Sequence, residues 1–172
     1  MKHSIRKVLL DSRGAAAIEF ALLLPLLFTL HIAAAEVLQA YKAQRNAAHI
    51  AAAIADITAQ SRTLTTAEID DILAASAAMM HPFPTVRLQQ RVASLSASDS
   101  GAISVDWQKG KDYSQAGGPS VPPGYLLPKE SVIVTDVIYD YKPTFGLFLP
   151  KTIRFTRHAY ARPRLSAKVE RL

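Results

Sequence analysis

The chain has 172 residues, 20 Lys and Arg against 14 Asp and Glu, a net charge of +6, 49% hydrophobic residues and no cysteine. That length holds one domain with its own core but not a multidomain enzyme, and the missing cysteine excludes a disulfide framework, a thiolate metal site and a Cys nucleophile. A charged fraction of 20% and a mean hydropathy of +0.11 argue against disorder and against a polytopic membrane protein. The basic surplus is compatible with nucleic acid, a membrane surface or an acidic partner, so its location must decide.

The first segment, residues 1–14, carries Lys2, Arg6, Lys7 and Arg13 against Asp11, a local charge of +3. Residues 15–35 are almost wholly apolar, AAAIEFALLLPLLFTLHIAAA. As a helix this run rises about 31 Å, one hydrocarbon thickness. Basic residues on its N-terminal flank keep that end in the cytoplasm and send the remainder across. The run is either a retained membrane helix or a removable signal, with Ala33-Ala34-Ala35 as the cleavage site and Glu36 as the mature start. Retention is favoured because proline and glycine are absent from Leu26 through His81, and because a signal gains nothing from Glu19 inside its apolar stretch.

A basic leader ending in Gly14, a glutamate five residues later and then an apolar run resemble a type IV prepilin processing site. More narrowly, RGAAAIEFALLLPLL (residues 13–27) resembles the start of the TadE/TadF/TadG-like proteins of tight-adherence (Flp-type) pilus systems, with Gly14, Glu19, Phe20 and Pro25 in place. The resemblance implies cleavage by a prepilin peptidase between Gly14 and Ala15, and a subunit-assembly role for Glu19 and Phe20. The new ammonium on Ala15 would lie about one helical turn from the Glu19 carboxylate, and in a low dielectric the two charges offset each other's burial. Pro25 removes one intrahelical hydrogen bond and predicts a kink of the kind membrane spans tolerate. His31 is expected at the outer interface. The bland alternative is that Gly14 only separates leader from helix and Glu19 is incidental.

Past Ala35 the chain stays helix-forming and turns amphipathic to about residue 60, with Ile50, Ile54 and Ile57 at helical spacing. Thr65 and Glu68 have capping-box spacing, and Ile69, Ile72, Leu73, Ser76, Met79 and Met80 continue a second helix over 66–80, with both methionines expected as core filler. From Thr85 the period becomes two. Val86, Leu88 and Val92 define a first strand, and Ser98–Gly101 a turn. Ile103, Val105 and Trp107 mark one face of a second strand. Ile133, Val137, Tyr139 and Tyr141 do so for a third over 131–141, and Ile153, Phe155, Ala159 and Ala161 for a fourth over 153–162. One apolar and one polar face per strand predicts an antiparallel sheet covered on one side by the amphipathic half of the long helix.

Residues 109–129, KGKDYSQAGGPSVPPGYLLPK, read as a surface loop in which Tyr113, Tyr125, Leu126 and Leu127 offer a contact patch. Phe145, Leu147 and Phe148 read as loop hydrophobes folded onto the sheet, the alternative being a subunit contact. Asp136 and Asp140 read as a solvated face. The run Lys151, Arg154, Arg157, Arg162, Arg164, Lys168 and Arg171 against Glu170 gives residues 151–172 a charge of +6 and reads as a strand edge and a solvated basic tail over 163–172. The sharper reading of that run is docking on an acidic subunit or anionic lipid.

No G-x-S-x-G, H-E-x-x-H, Walker or G-x-G-x-x-G motif is present, and the five histidines have no metal-ligand spacing. No enzyme activity, cofactor or metal is expected, and the exported position of the basic tail disfavours nucleic acid. The fold expected is α+β: a leader (1–14), a transmembrane helix (15–35) and an exported pilin-like domain (36–172) whose helices, about 36–60 and 66–80, pack on a four-stranded antiparallel sheet over 85–162. The function implied is a minor pilin or pseudopilin-like subunit of the bacterial inner membrane, single-pass, with its C-terminal domain periplasmic. Its partners would be other pilin subunits, the pilus assembly platform in the inner membrane, prepilin peptidase and the lipid bilayer. The alternatives are a signal-cleaved secreted or periplasmic binding protein and, less well supported, a membrane-anchored enzyme.

Overall fold

The computed structural model describes residues 14–172; the leader apart from Gly14, with its flanking charges, lies outside the described residues. Helix α1 runs unbroken over Ala15–Ala59. It is followed by a short strand β1 (Thr63–Leu64), helix α2 (Thr66–Ala77) with a 3-10 turn at Ala78–Met80, and strands β2 (Leu88–Ala97), β3 (Ile103–Lys111), β4 (Ser131–Tyr141), β5 (Ile153–Ala161) and β6 (Glu170–Arg171). The capping box is formed: the Thr65 hydroxyl accepts from the Glu68 amide, and the Glu68 carboxylate accepts from the Thr65 amide. The α+β class and the four-stranded antiparallel sheet are both as expected, with spatial order β3-β2-β4-β5.

The core lies between one face of the sheet and the C-terminal half of α1. Ala40, Ala43, Ala47, Ile50, Ala51, Ile54 and Ala59 are buried along one stripe of that helix, against Ile133, Val137, Tyr139 and Tyr141 of β4 and Ile153, Phe155, Ala159 and Ala161 of β5. Alternate steps of three and four residues hold the stripe on one face. Its alanines bring the helix backbone close to the sheet, and the two isoleucines fill the space left over. Ile57 lies at the edge of the buried arc and is 45% exposed. In α2, Ile69, Leu73 and Ser76 are buried; of the methionine pair Met80 is core, whereas Met79 is exposed.

The strands depart from the expected pattern in three ways. Val86 lies in a 3-10 turn ahead of β2 and is exposed. In β3 a register shift opposite Ser94 and Leu95 leaves Asp106 as an extra residue. Two residues on β3 then face one step on β2, so the alternation reverses. Trp107 enters the helix-side core, while Val105 and Ile103 pair with Leu95 and Ala97 on the opposite face. Third, the sheet is covered on both sides. Every residue of β4 except Asp140 is buried. The second face, with Ala93, Leu95, Ala97, Val132 and Val134, packs under Leu126, Tyr125 and Val121. The Gly/Pro-rich segment after β3 is thus a lid on the sheet, and of its expected contact residues only Leu127 is strongly exposed.

The C-terminus is not a loose basic tail. It returns to the α1–α2 connection, where β6 pairs in parallel with β1. The Arg164 amide donates to the Ala59 carbonyl at 2.9 Å, and Trp107 Nε1 donates to the Val169 carbonyl at 2.8 Å. Four cations of the basic run are ion-paired: Arg154 with Asp140, Arg162 with Glu130, Arg164 with Asp56 and Lys168 with Asp106. Two substitutions on α1 separate stripe from surface. Ile54→Ala is expected to lower unfolding free energy by about 2–5 kcal/mol and Ile57→Ala by no more than about 0.5 kcal/mol, measured by chemical denaturation.

Candidate functional site: the free half of helix α1 and its junction with the domain

Residues 16–30 of α1 are exposed throughout, and among them Ile18, Phe20, Leu22, Leu26, Phe28 and Leu30 are each at least 60% exposed. Water penalises such a surface by about 1.5–3 kcal/mol for each large side chain left uncovered, so this half of the helix requires an apolar partner or solvent. The helix is long and apolar enough to cross a membrane. Unlike the core helix of a soluble protein, almost none of its most apolar stretch is buried.

Gly14 caps the helix without a side-chain hydrogen bond and is exposed, and Ala15 is the first helical residue. Glu19 and Phe20 follow on the first turns, both exposed, so the residues to which the resemblance assigns cleavage and assembly sit together at the free tip of the rod, remote from the sheet. Pro25 lies inside a continuous helix. The missing proline N–H leaves the Ala21 carbonyl without its helix bond, and in the following turn the Thr29 hydroxyl donates to the Pro25 carbonyl at 2.7 Å. His31 is exposed.

The changeover from exposed to packed helix is made by a residue whose role is not visible in the sequence. Glu36 is 1% exposed. Its carboxylate accepts from the amides of Leu147, Phe148 and Leu149 at 3.1, 3.2 and 3.3 Å, a nest of successive N–H groups in the β4–β5 connection. The Thr144 hydroxyl adds a hydrogen bond to Gln39 one turn on. Burial by itself raises the Glu36 pKa, but the backbone amides favour the carboxylate more strongly and hold it below the usual carboxyl range. The neighbouring Tyr141 is pushed up, first by burial and then by the Glu36 charge.

A second polar cluster was also unforeseen. Asp136 is not part of a solvated face: it is 3% exposed on the lid side of the sheet, paired with Arg91 on β2 and with His158 Nδ1 on β5 at 2.6 Å. Arg91 also donates to the Gly117 carbonyl at 2.6 Å and lies 4.4 Å over the Tyr113 ring, which ties the lid to the sheet. Asp140 is matched by Arg154 through two hydrogen bonds that hold its carboxyl low against the opposing effect of burial. These are cross-strand structural pairs. Among the described residues no group of three or more His, Asp or Glu is arranged to hold a metal ion.

With the geometry described, the comparison with known families becomes specific. Residues 14–56 match the TadE-like protein family. The resemblance drawn from residues 13–27 is thereby borne out and extended: the match opens on Gly14 and runs along α1 through both its free and its packed half. The sheet domain lies outside it. No curated protein and no solved structure matches the chain.

The junction yields a pH-dependent prediction. Because the native Glu36 pKa is lowered, its contribution is fully present above the ordinary carboxyl value and is lost as pH falls through the lowered one. Protection of the 147–149 amides in hydrogen exchange, corrected for intrinsic rates, is expected to fall on acidification below about pH 4.5. Glu36→Gln is expected to lower it several-fold already at neutral pH and to abolish that acid step.

Proposed function

We propose that the protein is a structural subunit of a tight-adherence (Flp-type) pilus, of the minor pilin or pseudopilin kind. In this reading residues 15–35 hold it in the inner membrane, the 36–172 domain stands on the periplasmic side, and the chain performs no chemistry of its own. The observation that carries this reading is the free apolar half of α1, which starts at Gly14, bears Glu19 near its tip and falls in the segment that matches the TadE-like family. The family match supports involvement in pilus assembly; the subunit role rests on the geometry of the rod.

Assembly would use that rod in two settings. In the bilayer, lipid covers Ile18–Leu30, while the uncompensated Glu19 carboxylate carries a penalty that reaches about 2.5–3.5 kcal/mol at the centre of a span and is smaller near its end. Packing beside another subunit whose chain begins at the residue after its own cleaved glycine would bring an ammonium to that carboxylate and cancel most of the penalty. The cost in lipid and the gain in the assembly act in the same direction, toward helix-to-helix packing. Phe20 would add an apolar contact beside the pair. Partners on this reading are pilin-like subunits, the assembly platform and a prepilin peptidase acting between Gly14 and Ala15. Continuity of the helix through Ala33–Ala35 and burial of Glu36 support retention of the span over signal cleavage at that point.

Glu19→Ala tests the role directly. The variant is expected to keep native Trp107 fluorescence and thermal stability, while its recovery with pilus subunits from detergent-solubilised membranes falls about tenfold or more. Unchanged recovery would remove Glu19 from the mechanism.

A further inference from the structure

The β4–β5 connection, residues 142–152, breaks the rule followed by the rest of the exported domain. Three of its large apolar side chains face outward: Phe145, Leu147 and Phe148 are 56%, 66% and 49% exposed. Only Leu149 turns back to pack against the core. The sequence pattern places Phe145, Leu147 and Phe148 on the sheet; instead they face outward, in a segment that is fixed against the helix by the Leu147, Phe148 and Leu149 amides on the Glu36 carboxylate. Gly146, at φ +66, supplies the left-handed step that tightens the bend.

The place of attachment says what covers this patch. Glu36 is the first residue after the 15–35 apolar run, and Thr144 reaches Gln39 one turn beyond it. Whatever medium surrounds residues 15–35 therefore ends beside Phe145, Leu147 and Phe148. On other faces of the helix, Val37 and Leu38 are also exposed just past Glu36, and Tyr41 lies about one further turn on. Lys142 and Lys151 bracket the segment and are both exposed. The acids at this end are already engaged: Glu36 by the amides and Asp140 by Arg154. Aromatic and aliphatic tips flanked by free lysines form the pattern that settles at a headgroup boundary, with the rings at the acyl edge and the ammonium groups on the phosphates.

We propose that residues 142–151 are a second membrane contact, an interfacial loop that inserts Phe145, Leu147 and Phe148 into the outer edge of the bilayer beside the exit of α1. One helix alone leaves a domain free to swing and to rotate about the span. A second contact, joined to the helix through Glu36, fixes the height and rotation of the sheet above the membrane, and so fixes which face each subunit turns to its neighbours. The inference rests on the reading that residues 15–35 lie in a bilayer, and its test separates the two.

The natural chain has no cysteine, so single sites can be labelled in the full-length protein. Leu147→Cys, Asp99→Cys in the turn at the far end of the sheet, and Leu24→Cys in the span would each carry a nitroxide. The proteins are reconstituted in phosphatidylethanolamine–phosphatidylglycerol vesicles, with Trp107 emission as the check of fold. The expected result is an oxygen-over-nickel-chelate accessibility ratio several-fold higher at 147 than at 99, and highest at 24. A label at 147 as nickel-accessible as that at 99, with 24 still in lipid, would overturn the loop contact and leave the span standing. A label at 147 shielded from both reagents would assign the patch to protein contact and equally overturn it. Nickel access at 24 would overturn the span reading and the loop contact with it.

Discussion

One helix carries two kinds of surface, a packed half that closes the core of the sheet domain and an apolar half left open, and the domain depends on where it changes between them. With no disulfide available, the sheet is held by the stripe from Ala40 to Ala59, whose alanines let the helix close on β4 and β5 and whose isoleucines fill the interior. The stripe ends at Glu36, where a carboxylate replaces the alanines and fixes the β4–β5 connection through backbone amides. Below that point burial fades through Ile32, Ala33 and Ala35, and over residues 16–30 the large side chains stand open. The same rigid element therefore closes a core at one end and presents an unsatisfied apolar rod at the other. A rod that is rigid through the junction transmits the position of its free end to the sheet, which is what a subunit that assembles by its helix requires.

Periodicity made most of the fold legible before the structure. The length of α1, the Thr65–Glu68 cap, the second helix and all four main strands follow from local patterns, and the absence of proline and glycine correctly signalled a helix unbroken past residue 35. The misses share a physical cause: each depends on contacts between residues distant in the chain. The bulge at Asp106 reverses the faces of β3, and only the register against Ser94 and Leu95 reveals it. The lid over the second face consists of Gly/Pro-rich chain that has no period to read. The basic run near the C-terminus resembled a tail because its partners Asp56, Asp106, Glu130 and Asp140 lie elsewhere in sequence.

The candidate site divides in the same way. Gly14, Ala15, Glu19, Phe20 and Pro25 were readable because they lie on one short helical segment, and the structure keeps them together at the free end of the rod. Glu36 was not readable. A glutamate at the border of an apolar run looks like a boundary marker, and its partners are more than 100 residues away. The exposure of Phe145, Leu147 and Phe148 was equally unreadable, because an apolar run outside any strand pattern reads as loop folded onto the sheet, and only the attachment at Glu36 shows where it is held.

On the proposed function the chain is a leader-bearing subunit that keeps its apolar helix after processing. The measurement that tests it most directly is the intact mass of the protein extracted from membranes of cells that make the pilus machinery. The account predicts a chain that begins at Ala15, with the basic leader gone and the span retained. A chain beginning at Glu36, or one still carrying Met1 in the presence of active prepilin peptidase, would contradict it.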